Sequence, residues 1–302
     1  MSLLLSGEIL TSLKHELSEA KESVQIITAF CKTNTIQYLD NCVDTSVPEK
    51  RIMVRFRLDD ILKGATDFSV LDYCLEKGWK AFLRFDLHAK TYIVDNKRGI
   101  IGSANATNSG LNLGIAGNTE LATLFDMEPD DLKKIEALSR DALPVDVSLL
   151  DLLRKQYSAV DSTSTGQTAK GWSKDITDLF KPKVDTLFSH ELPDKETYAK
   201  GQYIDFLDEV VVNDQSFKNA FRWSNSYLWL LNTLENNGGC LYFGELSSKL
   251  HDSLVSDPKP YRKDVKKMLA NMLALITTLN MEEVTIDRPN YSQRIQLRES
   301  SY

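Results

Sequence analysis

The chain has 302 residues, 42% of them hydrophobic, which is enough for one large core or two separate ones. Its formal net charge of −7 argues against coating nucleic acid by bulk electrostatics, so any polyanion site must be built locally. No run of about 18 apolar residues is present to span a bilayer, and residues 1–8 lack a basic lead into a signal core, which together point to a cytoplasmic protein.

Residues 7–22 place Ile9, Leu10, Leu13 and Leu17 at helical spacing among Lys14, Glu16 and Glu19, and residues 23–30 then read as a buried, β-branched strand. A helix at 33–44 leads to a strand at 51–57, where Ile52, Val54 and Phe56 alternate with basic residues. A third helix, 67–77, stops at Gly78, and strand resumes at 79–85. Strands at 88–94, 99–102 and 119–125 follow, the first two joined by the polar turn 95–98, and amphipathic helices at 129–141 and 147–157 close the domain. Alternating strands and helices predict an α/β sheet covered by helices over residues 1–157.

Residues 158–171 are small and polar, as a solvated linker requires. Beyond them, residues 172–302 read as mainly helical. Helices are expected at 203–213, at 216–236 ending on Asn237-Gly238-Gly239, at 243–254, and at 261–279 after Pro258 and Pro260. Two short alternating runs, 283–287 and 291–298, flank a turn at Arg288-Pro289-Asn290, and three helices followed by a β-hairpin is the order of a winged helix. Around the start of the last helix, Lys259, Arg262, Lys263, Lys266 and Lys267 form a basic cluster suited to nucleic-acid phosphates, with Arg288, Arg294 and Arg298 on the wing. The bland alternative is a solvated face of a packing domain. Trp223, Tyr227 and Trp229 read as core rather than as base-stacking platforms.

Cys31, Cys42, Cys74 and Cys240 are far apart, without a CxxC pair or histidines at ligand spacing, so they read as free thiols and no metal site is expected. The chemistry concentrates at residues 88–120. Strand alternation sets His88, Lys90 and Tyr92 on one face, with the imidazole and ammonium positions about 7 Å apart. By the same parity Ser103 and Asn105 share a side if the strand runs through Ile101, while Asp95 falls on the opposite face and reads as structural. A histidine, an ammonium, a hydroxyl and an amide converging on a small volume suit a phosphate.

The pattern His88-x-Lys90-x4-Asp95-x6-Gly102-Ser103-x-Asn105, followed by Asn118-Thr119-Glu120, resembles the HKD motif of the phospholipase D superfamily over about residues 1–155. The run from Gly102 to Leu111 resembles the nuclease branch, including single-motif restriction endonucleases with a separate DNA-reading domain. The resemblance implies an α-β-α sandwich with a mixed sheet, and phosphodiester cleavage without metal or other cofactor. His88 would be the nucleophile of a covalent phosphohistidine, and Lys90, Ser103 and Asn105 would hold the nonbridging oxygens. Glu120 would orient a histidine, and Gly102 would serve the motif's structure. The family's mechanism uses two histidines, and His15, His190 and His251 lack a lysine two residues on. The resemblance therefore implies a homodimer with His88 beside its own copy at a two-fold axis, acting on nucleic acid, in the first instance DNA. No basic amphipathic segment of membrane type is present. A phospholipase D-type lipid phosphodiesterase and a catalytically silent phosphate-binding module are the alternatives.

Overall fold

The computed structural model describes residues 1–161, 171–193 and 214–298. The chain divides into two compact units, Met1–Phe180 and Lys181–Tyr302.

The first unit is built on an eight-stranded mixed sheet in the order β1-β7-β6-β5-β2-β3-β4-β8. The strands are β1 (Ser2–Leu5), β2 (Ser23–Thr28), β3 (Glu49–Arg55), β4 (Lys80–Arg84), β5 (Lys90–Val94), β6 (Arg98–Gly102), β7 (Leu121–Asp126) and β8 (Leu143–Pro144). β2, β3 and β4 are parallel, with crossovers through α2 (Thr33–Asp40) and through α3 (Leu58–Leu62) with α4 (Ser69–Glu76). β5, β6 and β7 form an antiparallel meander joined to β2. The expected α/β sheet is thus present. β1 and β8 were not anticipated, because strands of four and two residues are too short to show alternation.

Helix α1 (Gly7–Glu19) buries Ile9, Leu13 and Leu17 as an i, i+4, i+8 stripe. On the other face, Ile27, Met53, Leu87 and Ile93 form a core against which Ile135 and Leu138 of α5 (Pro129–Arg140) pack. The β5–β6 turn takes positive φ at Asp95 and Asn96, which these short polar side chains tolerate. The Asp95 carboxylate accepts the backbone N–H groups of Lys21, Glu22 and Ser23 at 2.7 to 3.1 Å, tying the turn to the start of β2. Burial alone would raise its pKa; the three donors outweigh that and hold it below the usual carboxylate range.

Most of the expected linker 158–171 falls outside the described residues. Helix α6 runs Val147–Asp161, and the chain beyond the linker still packs on the first unit. Trp172 stacks on Phe56, with ring centroids 6.1 Å apart, and donates its indole N–H to the Phe56 carbonyl oxygen. Phe180 meets Phe85 edge to face. Three large buried side chains, Trp172, Ile176 of the short helix α7 (Lys174–Thr177) and Phe180, carry the unit boundary on to 180, past the polar stretch that composition marks.

In the second unit, α8 (Asp214–Arg222) and α9 (Asn225–Glu235) replace the single helix expected at 216–236. The break falls where the Ser224 side chain accepts the Tyr227 N–H, since serine caps a helix more readily than it continues one. α9 ends where Gly238 and Gly239 take positive φ and the Gly239 N–H bonds the Leu234 carbonyl. There follow β9 (Cys240–Tyr242), α10 (Phe243–Ser253), α11 (Arg262–Thr278), β10 (Val284–Asp287) and β11 (Arg294–Leu297). The three strands pair in the order β10-β11-β9, so the unit has the element order and strand pairing of a winged helix. Tyr227 and Trp229 are core. The helix expected at 203–213 lies outside the described residues.

Candidate active site

One edge of the first sheet collects the motif. β2, β3, β4 and β6 point their C-terminal ends there, and β5 and β7 begin there. Because β5 lies beyond β2 and β3 from β4, residues 85–89 must cross the ends of both strands to start β5. That crossover delivers His88. It is anchored by Arg57, whose Nε donates to the Phe85 carbonyl oxygen, and by the bidentate pair of Arg84 with Asp86 at 2.8 Å. Leu87 is buried, His88 is exposed, and Lys90 is buried. An exposed imidazole is thus pinned between two buried side chains. The strand expected at 88–94 starts only at Lys90, because residues 85–89 serve as a crossover and have no ladder partner.

Lys90 is 9% exposed, and its Nζ donates to the His88 carbonyl oxygen at 2.7 Å, fixing the backbone that carries the imidazole. An ammonium has three donors and can serve more than one acceptor. Two residues further along β5, Tyr92 is buried and donates its hydroxyl to the Ala104 carbonyl at 3.0 Å, which sets the chain between Ser103 and Asn105.

Gly102 ends β6, where a Cβ would meet the Leu121 carbonyl oxygen at 2.3 Å, so no larger residue fits beside β7. Ser103 then turns toward β7 and donates its hydroxyl to Glu120 Oε2, while its Oγ accepts the Leu121 N–H at 3.1 Å. Asn105 turns the other way. Its Oδ1 accepts the Phe30 N–H at 3.0 Å, with the Thr28 hydroxyl 3.4 Å away. A backbone donor facing Oδ1 fixes the amide's orientation, so Nδ2 is presented as a donor on the other side. The two residues therefore lean on different neighbours, and the shared side that strand parity suggests does not carry past the end of β6.

Glu120 is 7% exposed. Its Oε2 accepts from Ser103 and its Oε1 from Asn118 Nδ2 at 3.0 Å. Its backbone N–H donates to Ser6 Oγ at 3.1 Å, and its carbonyl accepts the Ser6 N–H at 2.9 Å. Each carboxylate oxygen keeps a second lone pair for another donor. Asp95 sits at the opposite end of β5, in the turn described above. Arg57 is an addition that sequence reasoning missed. Burial, and then the neighbouring Arg55, lower its pKa to about 10, which still leaves it cationic at neutral pH. Ser6 and Thr28 also join the site through contacts across 114 and 77 residues, which no local pattern signals.

In the second unit, Lys259, Arg262, Lys263, Lys266 and Lys267 are all exposed around the first turns of α11, while Val265, Leu269, Met272, Leu273 and Ile276 bury its other face. On the wing, Arg294 is paired with Asp287 at 2.6 Å and Arg298 donates to Thr285 at 3.0 Å, whereas Arg288 is exposed. All four cysteines are free, and among the described residues no helix is long and apolar enough to cross a membrane.

Comparison with known proteins bears on the first unit. Residues 13–138 match the family described as cardiolipin synthase, PLD-like domain. Among solved structures, a phospholipase D family member, Nuc from Salmonella typhimurium, is similar at 18% identity, covering 48% of this chain and 96% of that one, with a TM-score of 0.39. NucT from Helicobacter pylori is similar at 18% identity, covering 48% and 98%, with a TM-score of 0.37. The phosphatidylserine synthase of Haemophilus influenzae Rd KW20 is similar at 12% identity, covering 53% and 46%, with a TM-score of 0.36. No curated protein matches the chain. The match to the PLD-like family model covers residues 13–138, which lie within the first unit and include most of its mixed eight-stranded sheet.

Proposed function

We propose that the protein is a metal-independent phosphodiesterase that cleaves DNA as an endonuclease, through a phosphohistidine formed on His88 in a homodimeric site. The observation that carries this reading is the exposed His88, held by Lys90 Nζ at the sheet edge where Ser103, Asn105 and Glu120 also end. In the first step an imidazole nitrogen of His88 attacks phosphorus while the P–O bond to the leaving group breaks, and the leaving oxygen takes a proton from His88 of a second copy. In the second step that imidazole removes a proton from water, the water oxygen attacks phosphorus, and the P–N bond breaks to restore His88. Lys90, Ser103 and the Asn105 amide offset charge on the five-coordinate phosphorus, and Glu120 orients an imidazole through its remaining lone pairs.

DNA is favoured over lipid because exposed basic side chains surround the start of α11 in a winged-helix unit, where Lys259, Arg262, Lys263, Lys266 and Lys267 would contact phosphates. The test is incubation of the purified protein with plasmid in EDTA, beside His88→Ala. Cleavage by the unaltered chain alone supports the reading. Hydrolysis of phosphatidylcholine without plasmid cleavage would make it a lipid phosphodiesterase, and inactivity on both with retained phosphate binding would make it a silent module.

A further inference from the structure

Ser6 joins β1 to α1 with a backbone that serine rarely adopts. Its φ is 38° and its ψ −102°, near the first central position of a type II′ turn, where glycine is preferred. It is also the N-cap of α1, a position that normally takes extended backbone and accepts a helix N–H on its hydroxyl. Ser6 does neither, and its side chain makes no cap hydrogen bond to α1. Strain of this kind persists only where the surroundings hold it.

What holds it is Glu120. β1 and β7 pair from Ser2 with Leu124 to Leu5 with Leu121, and Ser6 meets Glu120 at the next step of the ladder. In a hydrogen-bonded antiparallel pair, two residues exchange both of their N–H···O=C bonds. Here the Ser6 N–H donates to the Glu120 carbonyl oxygen at 2.9 Å, but the Ser6 carbonyl is turned into α1 and accepts the Ile9 N–H at 3.0 Å. The hydroxyl takes the carbonyl's place. Ser6 Oγ accepts the Glu120 N–H at 3.1 Å and lies 3.5 Å from the Asn118 carbonyl oxygen. Among the residues with a hydroxyl on Cβ, threonine is β-branched and suffers more at positive φ, which leaves serine. One residue thus ends β1, starts α1 and satisfies both backbone groups of Glu120, whose carboxylate oxygens are held by Ser103 and Asn118.

We propose that Ser6 is a positioning residue of the reaction: its hydroxyl fixes the backbone of Glu120 and so aims the carboxylate that orients an imidazole. This rests on the reading above, in which Glu120 has that role; it adds the group that holds Glu120 from 114 residues away. The strained backbone keeps a hydroxyl where glycine would sit more easily.

The experiment compares the full chain with Ser6→Gly and Ser6→Ala by thermal unfolding and by plasmid cleavage in EDTA. Both variants lack the hydroxyl, but only glycine relieves the backbone. Ser6→Gly is expected to unfold at a higher temperature than Ser6→Ala, while kcat falls alike in both, by about tenfold or more, with KM within about twofold of the unaltered chain. A merely structural serine predicts another pattern, in which kcat follows stability and Ser6→Gly is the more active variant. Rates that track unfolding temperature, or a Ser6→Gly variant with undiminished kcat, overturn the positioning role and leave the proposed function standing. No cleavage by the unaltered chain overturns the proposed function and the positioning role with it. Amide hydrogen exchange reads the contact itself and needs no activity. The Glu120 N–H should be protected in the unaltered chain and exchange roughly fivefold faster in Ser6→Gly, the order expected for one lost hydrogen bond. The Asp95 N–H, which donates to the Ser23 carbonyl oxygen at 2.8 Å at the other end of β5, should be unchanged. An unprotected Glu120 N–H in the unaltered chain overturns the inference even if both variants misfold.

Discussion

The sheet edge of the first unit and the basic surface of the second carry their candidate residues in different physical states. At the edge, Lys90 and Glu120 are buried, and Ser103, Asn105 and Glu120 each hold a specific partner. Around α11 the lysines and Arg262 stand in solvent. Chemistry on phosphorus requires groups placed to within about half an ångström, which only packed and hydrogen-bonded side chains provide. Attraction to a phosphate backbone acts over roughly a Debye length and tolerates mobile side chains. Substitutions in the first region should therefore act abruptly on rate, and those in the second gradually on binding.

The strongest break is His88→Ala, expected to lower plasmid cleavage in EDTA by at least ~1000-fold, because the nucleophile has no substitute. The variant should fold normally, since His88 is exposed. Asn105→Asp sharpens the contrast between fold and chemistry. An aspartate can still accept the Phe30 N–H, so thermal stability should change little, but it loses the Nδ2 donor and adds a negative charge near the phosphate. A loss of about 100-fold in rate is expected, the order found for removing one transition-state donor. Equal losses of stability and rate would make Asn105 purely structural.

In the second unit, replacing Lys263, Lys266 and Lys267 with alanine should weaken DNA binding about tenfold or more and flatten its salt dependence by roughly one unit of log–log slope per lysine. Hydrolysis of a small chromogenic phosphodiester should stay unchanged, because these residues are exposed side chains of the other unit. Loss of both activities together would place them in the catalytic machinery.

The smallest effect concerns stability. Asp95→Asn keeps one acceptor where three backbone N–H groups converge and should cost about 1 kcal/mol, read by thermal unfolding. The folded-state pKa of Asp95 is depressed, so its stabilisation is present above the unfolded value near 4 and is lost as the pH falls through the lower, folded value. The gap between the two proteins should therefore be constant at neutral pH and close below about pH 4. A gap that widens on acidification would reverse the sign assigned to this group.

Local patterns carried much of the architecture. Periodicity in the stretches that became α1, β2, β3 and α11 placed them to within a few residues, because their apolar residues face one continuous core. The winged-helix order of the last third was legible from its glycine stop at 238 and 239 and from two short alternating runs. The start of β5 was not, because whether residues 88 and 89 pair depends on where β4 lies in the sheet. Nor was the break at Ser224, where capping competes with continuation on nearly equal local terms.

The same division holds for the site. Spacing alone determined which residue types stand at 88, 90, 102, 103, 105 and 120, and thereby the resemblance to the HKD motif. Only the tertiary structure decided that Ser103 leans on Glu120 while Asn105 leans on Phe30, and that Arg57 anchors the crossover beneath His88. The reason is physical: spacing along a chain fixes which neighbours a residue has locally, whereas contacts across 17, 75 or 114 residues depend on strand order and register, which emerge when the whole sheet assembles.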